Sequence, residues 1–407
     1  MTRRPFAALV AAEAFSISGT RLSMIAIPWL VLSLTGDAVL TGLVAFAEMT
    51  PYVVAKALGG PLIDRLGPRR IAVLGDLGSL LAIAMVPLVW LAGFLDVMVL
   101  VPLVALLGVL RGPADAAKQA MIPAVARAGD LPLERMTGVI GTIERLASMV
   151  GAAAAGALIA AIGATAALGF TAACFGLSAA IIVLGLGRSV MPERAEVPAQ
   201  GYGRDLMEGF AFLRGNTVLV AIAVMIALTN FFDQAFAVVL VPVWALEHGH
   251  GAEIVGLVFA VFSGCSMLGA ILAAALAERL PRLPVYVGAF LVVGLPRFLV
   301  LALDVPLAGV LAVMALGGFA SGFLNPIISA VILERIPERL VGRVSSLVTA
   351  SAWALMPFGG LAAGALIAGV GLQAALLACG CAYLAITLAP LRIRSFRGFS
   401  ERPIPGA

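Results

Sequence analysis

The sequence predicts an all-α integral membrane protein of about twelve transmembrane helices, arranged as two pseudo-two-fold-related six-helix bundles. Three observations predict it. Of 407 residues, 62% are hydrophobic and only 12% are charged, and a mean hydropathy of +1.11 means more apolar surface than a water-soluble core can bury. The apolar residues fall in runs long enough to cross a hydrocarbon layer roughly 30 Å thick. The basic residues collect on one side of those runs.

A crossing helix needs roughly 20 predominantly apolar residues, and that length places spans at 6–35, 39–62, 71–95, 97–118, 137–162 and 166–187. The first run follows Met1-Thr2-Arg3-Arg4-Pro5. It is too long for a signal-peptide core and has no small-residue cleavage site at its end, so it is expected to stay as a span. From 188 to 215 the chain is polar, with Pro192, Glu193, Arg194, Glu196, Pro198, Arg204, Asp205, Glu208 and Arg214; its second part suits a short amphipathic helix at the membrane surface. Six more runs follow at 217–246, 254–276, 284–303, 306–333, 342–368 and 372–391. The expected organisation is therefore an N-terminal bundle (1–187), a cytoplasmic linker (188–216), a C-terminal bundle (217–391) and a cytoplasmic tail (392–407).

Sidedness gives a separate test of the count. With both termini cytoplasmic, Arg65, Arg69, Arg70, Arg127, Arg135, Arg188, Arg194, Arg204, Arg214, Arg279, Arg282, Arg335, Arg339, Arg392, Arg394, Arg397 and Arg402 all fall inside. The outer turns carry Asp37, Asp96, Glu247, His248, His250, Glu253 and Asp304 instead, and no Lys or Arg. Omitting one span would scramble this pattern. The formal charge of +4 is thus sorted by membrane side, and nucleic acid is not an expected partner. Cys174, Cys265, Cys379 and Cys381 lie inside apolar runs without metal-ligand spacing and read as packing residues; no metal is expected.

The halves repeat each other. Ala154-Ala155-Gly156-Ala157-Leu158-Ile159-Ala160-Ala161-Ile162-Gly163 matches Ala362-Ala363-Gly364-Ala365-Leu366-Ile367-Ala368-Gly369-Val370-Gly371 at most positions, at the fifth-to-sixth and eleventh-to-twelfth turns. Pro123 and Pro337 end the fourth and tenth spans alike.

Between spans two and three lies Gly60-Pro61-Leu62-Ile63-Asp64-Arg65-Leu66-Gly67-Pro68-Arg69-Arg70, read as a tight cytoplasmic turn, with a fainter echo in Glu278-Arg279-Leu280-Pro281-Arg282. The pattern Gly-x-x-x-Asp-Arg-x-Gly-x-Arg-Arg resembles the loop signature of the major facilitator superfamily. Further pieces resemble its twelve-span drug:proton antiporter branch, which includes macrolide- and tetracycline-type efflux proteins. They are Gly112-Pro113-Ala114 with Met121-Ile122-Pro123, Glu208-Gly209-Phe210-Ala211-Phe212-Leu213, and Ile336-Pro337-Glu338-Arg339-Leu340-Val341-Gly342-Arg343-Val344. Two departures stand out: Pro68 replaces a usual basic residue, and Gly151-Ala152 replaces Gly-Pro in span five. The resemblance implies a cavity lined mainly by spans one, four, seven and ten with help from two, five, eight and eleven. It also implies a cytoplasmic gate built on Gly60, Asp64, Arg65, Gly67, Arg69, Arg70 and Asp115. In it Asp64 would lock spans two and eleven through a helix terminus near Gly342-Arg343, and Arg65 would pair with a carboxylate such as Asp115.

An ionisable group at membrane depth costs roughly 2.5–3.5 kcal/mol on the insertion scale and needs a cavity or a partner. Glu13, Arg21, Glu48, Lys56, Arg111, Asp115, Lys118, Glu144, Arg145, Asp233 and Arg297 all lie inside spans. Arg21 could face Asn230 and Asp233; Arg111 could pair with Glu144, or Asp115 could satisfy it one helical turn away or reach Arg65 or Arg69. Arg297 and Lys56 read as snorkelling or structural pairs. Glu48, Asp233 and Glu144, in that order, are the candidates to load and release a proton. Arg21, Arg111, Asn230, Phe232, Phe236 and Asn325 are the candidates to line a substrate cavity, with Asn325-Pro326 also read as a kink. Trp29, Trp90, Trp244 and Trp353 suit interfacial anchoring or drug contact, and His248 and His250 a solvated outer loop.

These readings, with the resemblance, imply a secondary transporter that exports hydrophobic or amphipathic small molecules against inward proton flow by rocking two halves around a midplane site. A proton-coupled transporter of a metabolite, siderophore or lipid-like molecule is the alternative, and a transport-fold receptor a more distant one. Without a Gly-x-x-x-x-Gly-Lys-Ser/Thr loop for ATP, the proton gradient is the expected energy source and no cofactor is expected. No His-Glu-x-x-His or Gly-x-Ser-x-Gly motif points to an enzyme. The expected partners are the substrate, protons and the bilayer; the chain is expected to be a monomer in the plasma (inner) membrane.

Overall fold

In the computed structural model, residues 4–129, 132–187, 202–276, 281–337, 340–393, 396 and 399 are described. Among them the chain is helical, and it divides into one unit of 1–196 with 241–260 and another of 197–240 with 261–407. The first unit holds α1 (Arg4–Thr35), α2 (Ala38–Leu58), α3 (Gly60–Leu66), α4 (Pro68–Leu91), α5 (Val97–Ala128), α6 (Leu133–Ile162), α7 (Ala164–Gly185) and, from later in the chain, α10 (Val241–Glu247) with the start of α11 (Ala252–Leu276). The second unit holds α8 (Tyr202–Gly215), α9 (Thr217–Ala235), a π-helical turn (Phe236–Leu240), the rest of α11, α12 (Arg282–Val293), α13 (Leu295–Ala302), α14 (Leu307–Ser321), α15 (Leu324–Leu333), α16 (Val341–Trp353) and α17 (Met356–Arg392). The linker 188–201, the loop echo at 277–280, Glu338, Arg339 and most of the tail lie outside the described residues.

Among the described residues, eleven helices are long and apolar enough to cross a membrane, the last spanning 50 residues from Arg343 to Arg392. At 1.5 Å per residue that is about 75 Å, more than twice a hydrocarbon core, so it holds two spans. The break is at Gly371, whose φ of 81° and ψ of 166° interrupt α17. Gly163, its counterpart in the repeated sequence, has φ 82° and ψ 158° and separates α6 from α7. The duplication thus reaches the backbone: both turns need a conformation in which a Cβ is strained. The outer sides of the helices stay apolar and exposed, as at Leu81 (65%), Leu184 (74%) and Leu91 (80%), where lipid takes the place of a core.

Small residues set the helix spacings. In α5, a Cβ on Gly108 would lie 2.1 Å from the Glu48 carbonyl oxygen, and one on Gly112 would lie 2.6 Å from that of Tyr52. The pair at i and i+4 lets α2 and α5 touch backbone to backbone. The acidic residues of the outer turns have local work: Asp37 accepts from the Val39 and Leu40 amides (2.7 and 3.2 Å), and Asp96 from that of Val97 (2.6 Å), so both cap helix N-termini. Trp244 is 2% exposed and stacks near His248 and His250, with ring centroids 5.4 and 5.5 Å away. Trp244 is therefore a packed residue and not the interfacial or drug-contacting one expected, while His248 is exposed, as expected of an outer loop, and His250 half-buried.

Candidate functional site

Each unit encloses charges at membrane depth. In the first, Arg111, Asp115 and Lys118 fall at i, i+4 and i+7 of α5 and so share one face. Asp76 of α4, with 0% exposure, reaches that face because Gly75 lets the helices close: a Cβ there would meet the Ala114 Cβ at 2.5 Å. Lys118 Nζ lies 2.8 Å from Asp76 Oδ1, and both side chains are wholly buried. Ser178 Oγ of α7 donates to the other carboxylate oxygen at 2.6 Å. Arg111 donates to Asp115 Oδ1 at 2.7 Å and to Ser16 Oγ of α1 at 3.0 Å, stands 3.6 Å from Asp76 Oδ1, and lies over the Phe175 ring at 4.4 Å. Lys118 also donates to Ser16 Oγ, which therefore joins both cations. Tyr52 of α2 donates to Asp115 Oδ2 at 3.2 Å and accepts from Lys56 Nζ at 3.2 Å. Glu13, 7% exposed, lies on α1 three residues before Ser16.

This network decides between the alternatives for Arg111: its partners are Asp115 and Asp76 rather than Glu144. Asp115, held by Arg111 and Tyr52, is not the carboxylate that Arg65 was expected to meet. Asp76 was missed. Its signal was a lone carboxylate between Gly75 and Gly78 inside an apolar run, where the glycines mark close helix approach.

Around the network, Glu48 is half-buried on α2, and Glu144 is exposed on α6. Among the described residues neither forms a salt bridge. Arg21 donates to Met24 Sδ at 3.6 Å, and its Cβ packs where a side chain at Gly151 would be, 3.0 Å away; the strongest opposite-charge influence on it comes from Glu144. A side chain at position 151 would therefore crowd Arg21 where α1 and α6 pack.

The loop at 60–70 is not an open turn. Residues Gly60–Leu66 form α3, pinned by Ile63 (6% exposed) in a core with Ile71, Ala117, Met121 and Ile182. Gly67 (φ 87°) turns the chain, and Pro68 begins α4 at its first position. There its missing N–H and fixed φ suit a helix start, which accounts for a proline in place of the usual basic residue. Arg69 donates to the carbonyls of Leu186 (2.8 Å) and Val183 (3.0 Å), closing the end of α7. Asp64, Arg65 and Arg70 are exposed, and Gly60 has open space around its α-carbon.

In the second unit, Asp233 at the end of α9 accepts from Arg297 of α13. The guanidinium lies 4.7 Å from the Phe236 ring centre and 5.0 Å from those of Phe298 and Tyr383. Asp233 thus finds its cation within its own unit, not in Arg21, and Arg297 is a paired residue and not a snorkelling one. Phe236 is 1% exposed, so it forms the wall behind Arg297 and cannot line a substrate cavity. Phe232 is half-buried, edge-on to Phe231 at 5.0 Å and to Tyr383 at 6.4 Å. Asn230 donates across to the Ala352 carbonyl at 2.9 Å. Asn325 is exposed where the tenth span breaks between Ser321 and Leu324.

A duplicated, multiply spanning helical protein with ion pairs inside its spans belongs to the class of polytopic membrane transporters. The family model of the Major Facilitator Superfamily matches residues 9–249 and 223–403, and the chain belongs to that family. It is 32% identical over 405 residues to a protein named multidrug efflux pump Tap from Mycobacterium tuberculosis, covering 98% of this chain and 96% of the relative. It is 30% identical over 377 residues to a protein of the same name from Mycolicibacterium fortuitum, covering 92% and 90%. Among solved structures, a POT family transporter in complex with 5-aminolevulinic acid matches with a TM-score of 0.73 at 13% identity, covering 95% of this chain and 94% of that one. A D-xylose-proton symporter matches with a TM-score of 0.71 at 14% identity, covering 94% and 96%. Both likenesses bear on the fold alone.

Proposed function

We propose that the chain is a proton-coupled exporter of hydrophobic or amphipathic small molecules. It works by alternating access as a monomer in the plasma membrane with both termini cytoplasmic, and it uses the proton gradient without a bound cofactor or a catalytic step. The observation that carries this reading is near-full-length identity of 32% to proteins named multidrug efflux pump. Glu48, an intramembrane carboxylate without a salt bridge among the described residues, supplies a group that a proton could load without breaking one of the ion pairs described above. Glu48 also sits where α2 meets α5, one helical turn before Tyr52 of the ionic network.

Two measurements test it. Expression in a pump-deficient host should raise tolerance to several chemically unlike lipophilic compounds, and Glu48→Gln should abolish the gain at equal protein abundance. In inside-out vesicles, an imposed proton gradient, acidic inside, should drive dye accumulation. Uptake that ignores the gradient would remove proton coupling, and unchanged tolerance to every compound would remove multidrug export.

A further inference from the structure

We propose that Arg297 is a positioning residue that holds Asp233 as a standing anion, so that Asp233 supplies the counter-charge for a cationic substrate and does not carry the coupling proton. This deepens the export reading above and rests on it. Arginine keeps its proton in proteins, so Arg297 is a fixed charge. Only 7% of its side chain is exposed, and three aromatic faces lie within 5.0 Å of the guanidinium. Those rings favour the cation but do not neutralise it. Its Nε has no hydrogen-bond partner. Among the described residues its one anionic partner is Asp233.

The two partners are exposed very differently. Asp233 has 42% of its side chain open, against 7% for Arg297. The Tyr383 ring faces the guanidinium from 5.0 Å. The carboxylate is thus gripped on one side by a buried cation and is open on the other. Protonating it would leave Arg297 charged and unpaired at membrane depth, the costly way to break a buried pair. A second cation can meet the open side without that cost. The π-helical turn begins at Phe236, directly after α9, and its widened winding brings Phe236 under the guanidinium while Asp233 stays open.

The groups facing Asp233 from the elements packed on α9 are few. Among the described residues Arg297 of α13 pairs with it, and Tyr383 of α17 lies beside the guanidinium. Arg343 of α16 pairs with Glu208 of α8 instead, and Tyr286 of α12 donates to Met225.

The experiment is equilibrium binding of tetraphenylphosphonium, and of the uncharged triphenylphosphine oxide, to the purified full-length protein at pH 6 and pH 8. The wild type should prefer the cation, with an affinity that changes less than about threefold between the two pH values. Asp233→Asn should lose the preference, weakening the cation by about tenfold or more while sparing the neutral probe. Arg297→Gln, which leaves the carboxylate without its fixed partner, should change the cation affinity by about tenfold or more; Arg297→Lys should restore the wild-type affinity and keep the flat profile. The double variant Asp233→Asn/Arg297→Gln should bind the neutral probe, which shows that the site still folds. A steep wild-type pH profile abolished by Asp233→Asn would make Asp233 the proton carrier and overturn the proposal, as would an Arg297→Gln variant with the wild-type cation affinity. Absence of any cation preference in the wild type would overturn it too, while export itself would still be judged by the tolerance panel with neutral compounds.

Discussion

Lys118→Met removes one end of an ion pair that no solvent reaches. Lys118 Nζ and Asp76 Oδ1 are 2.8 Å apart with both side chains at 0% exposure. At that distance the gross attraction is about 6 kcal/mol for an effective dielectric of 20. The pair's own desolvation offsets much of this, but the substitution leaves Asp76 buried with one hydroxyl bond from Ser178 and an Arg111 nitrogen 3.6 Å away. Breaking a buried pair this way costs about 3–5 kcal/mol. For a unit of this size, with about 2–4 °C per kcal/mol, the apparent melting temperature should fall by about 6–20 °C. The assay is thermal unfolding of the purified protein in detergent. Asp76→Leu combined with Lys118→Met should lose less than the two singles added together, with a coupling of at least about 2 kcal/mol. Single shifts below about 2 °C, or additive losses, would refute the claim that this pair organises the first unit.

Gly108→Ala should separate α2 from α5, since the new Cβ would lie 2.1 Å from the Glu48 carbonyl oxygen; overpacking of this kind costs about 1–3 kcal/mol. Gly138→Ala in α6, with nothing within 4 Å, is the control and should be neutral or stabilising in the same melting assay. Gly67→Ala meets open space but keeps a φ of 87° and a ψ of 141°, so its loss of about 1–3 kcal/mol should be backbone strain alone. Arg343→Ala breaks a bridge to Glu208 whose side chains are 40% and 45% exposed; stability should change by less than about 1 kcal/mol, and a larger loss would show that α8 is held to α16 by more than packing.

The span pattern was legible because lipid imposes a length on every helix, a constraint that acts residue by residue along the chain. The turn at Gly371 was legible for a related reason: the sequence around it repeats that around Gly163, and the same backbone conformation recurs. Partners were harder. Arg111 had two acceptable carboxylates in the sequence, Asp115 and Glu144, and its second partner, Asp76, is brought in by the close approach of α4 and α5 that Gly75 permits. Asp76 was missed because its burial is set by the helices packed on it, not by its own span. Arg297 was placed correctly inside a span, but its aromatic surroundings come from three separate segments, which no local pattern can bring together.

The π-helical turn at Phe236–Leu240 also changes how the seventh span should be mapped. A five-residue hydrogen-bond step in place of four inserts one residue into the winding, which turns everything beyond it by about 100°. A helical wheel drawn through Asp233 and continued to Trp244 therefore puts Trp244 on the wrong side, and the stretch Val241–Glu247 follows a different phase from Thr217–Ala235. In a cysteine-accessibility scan, two ordinary periodic patterns should appear along this one span, offset by a phase slip at 236–240, and neither stretch should be legible with the other's wheel.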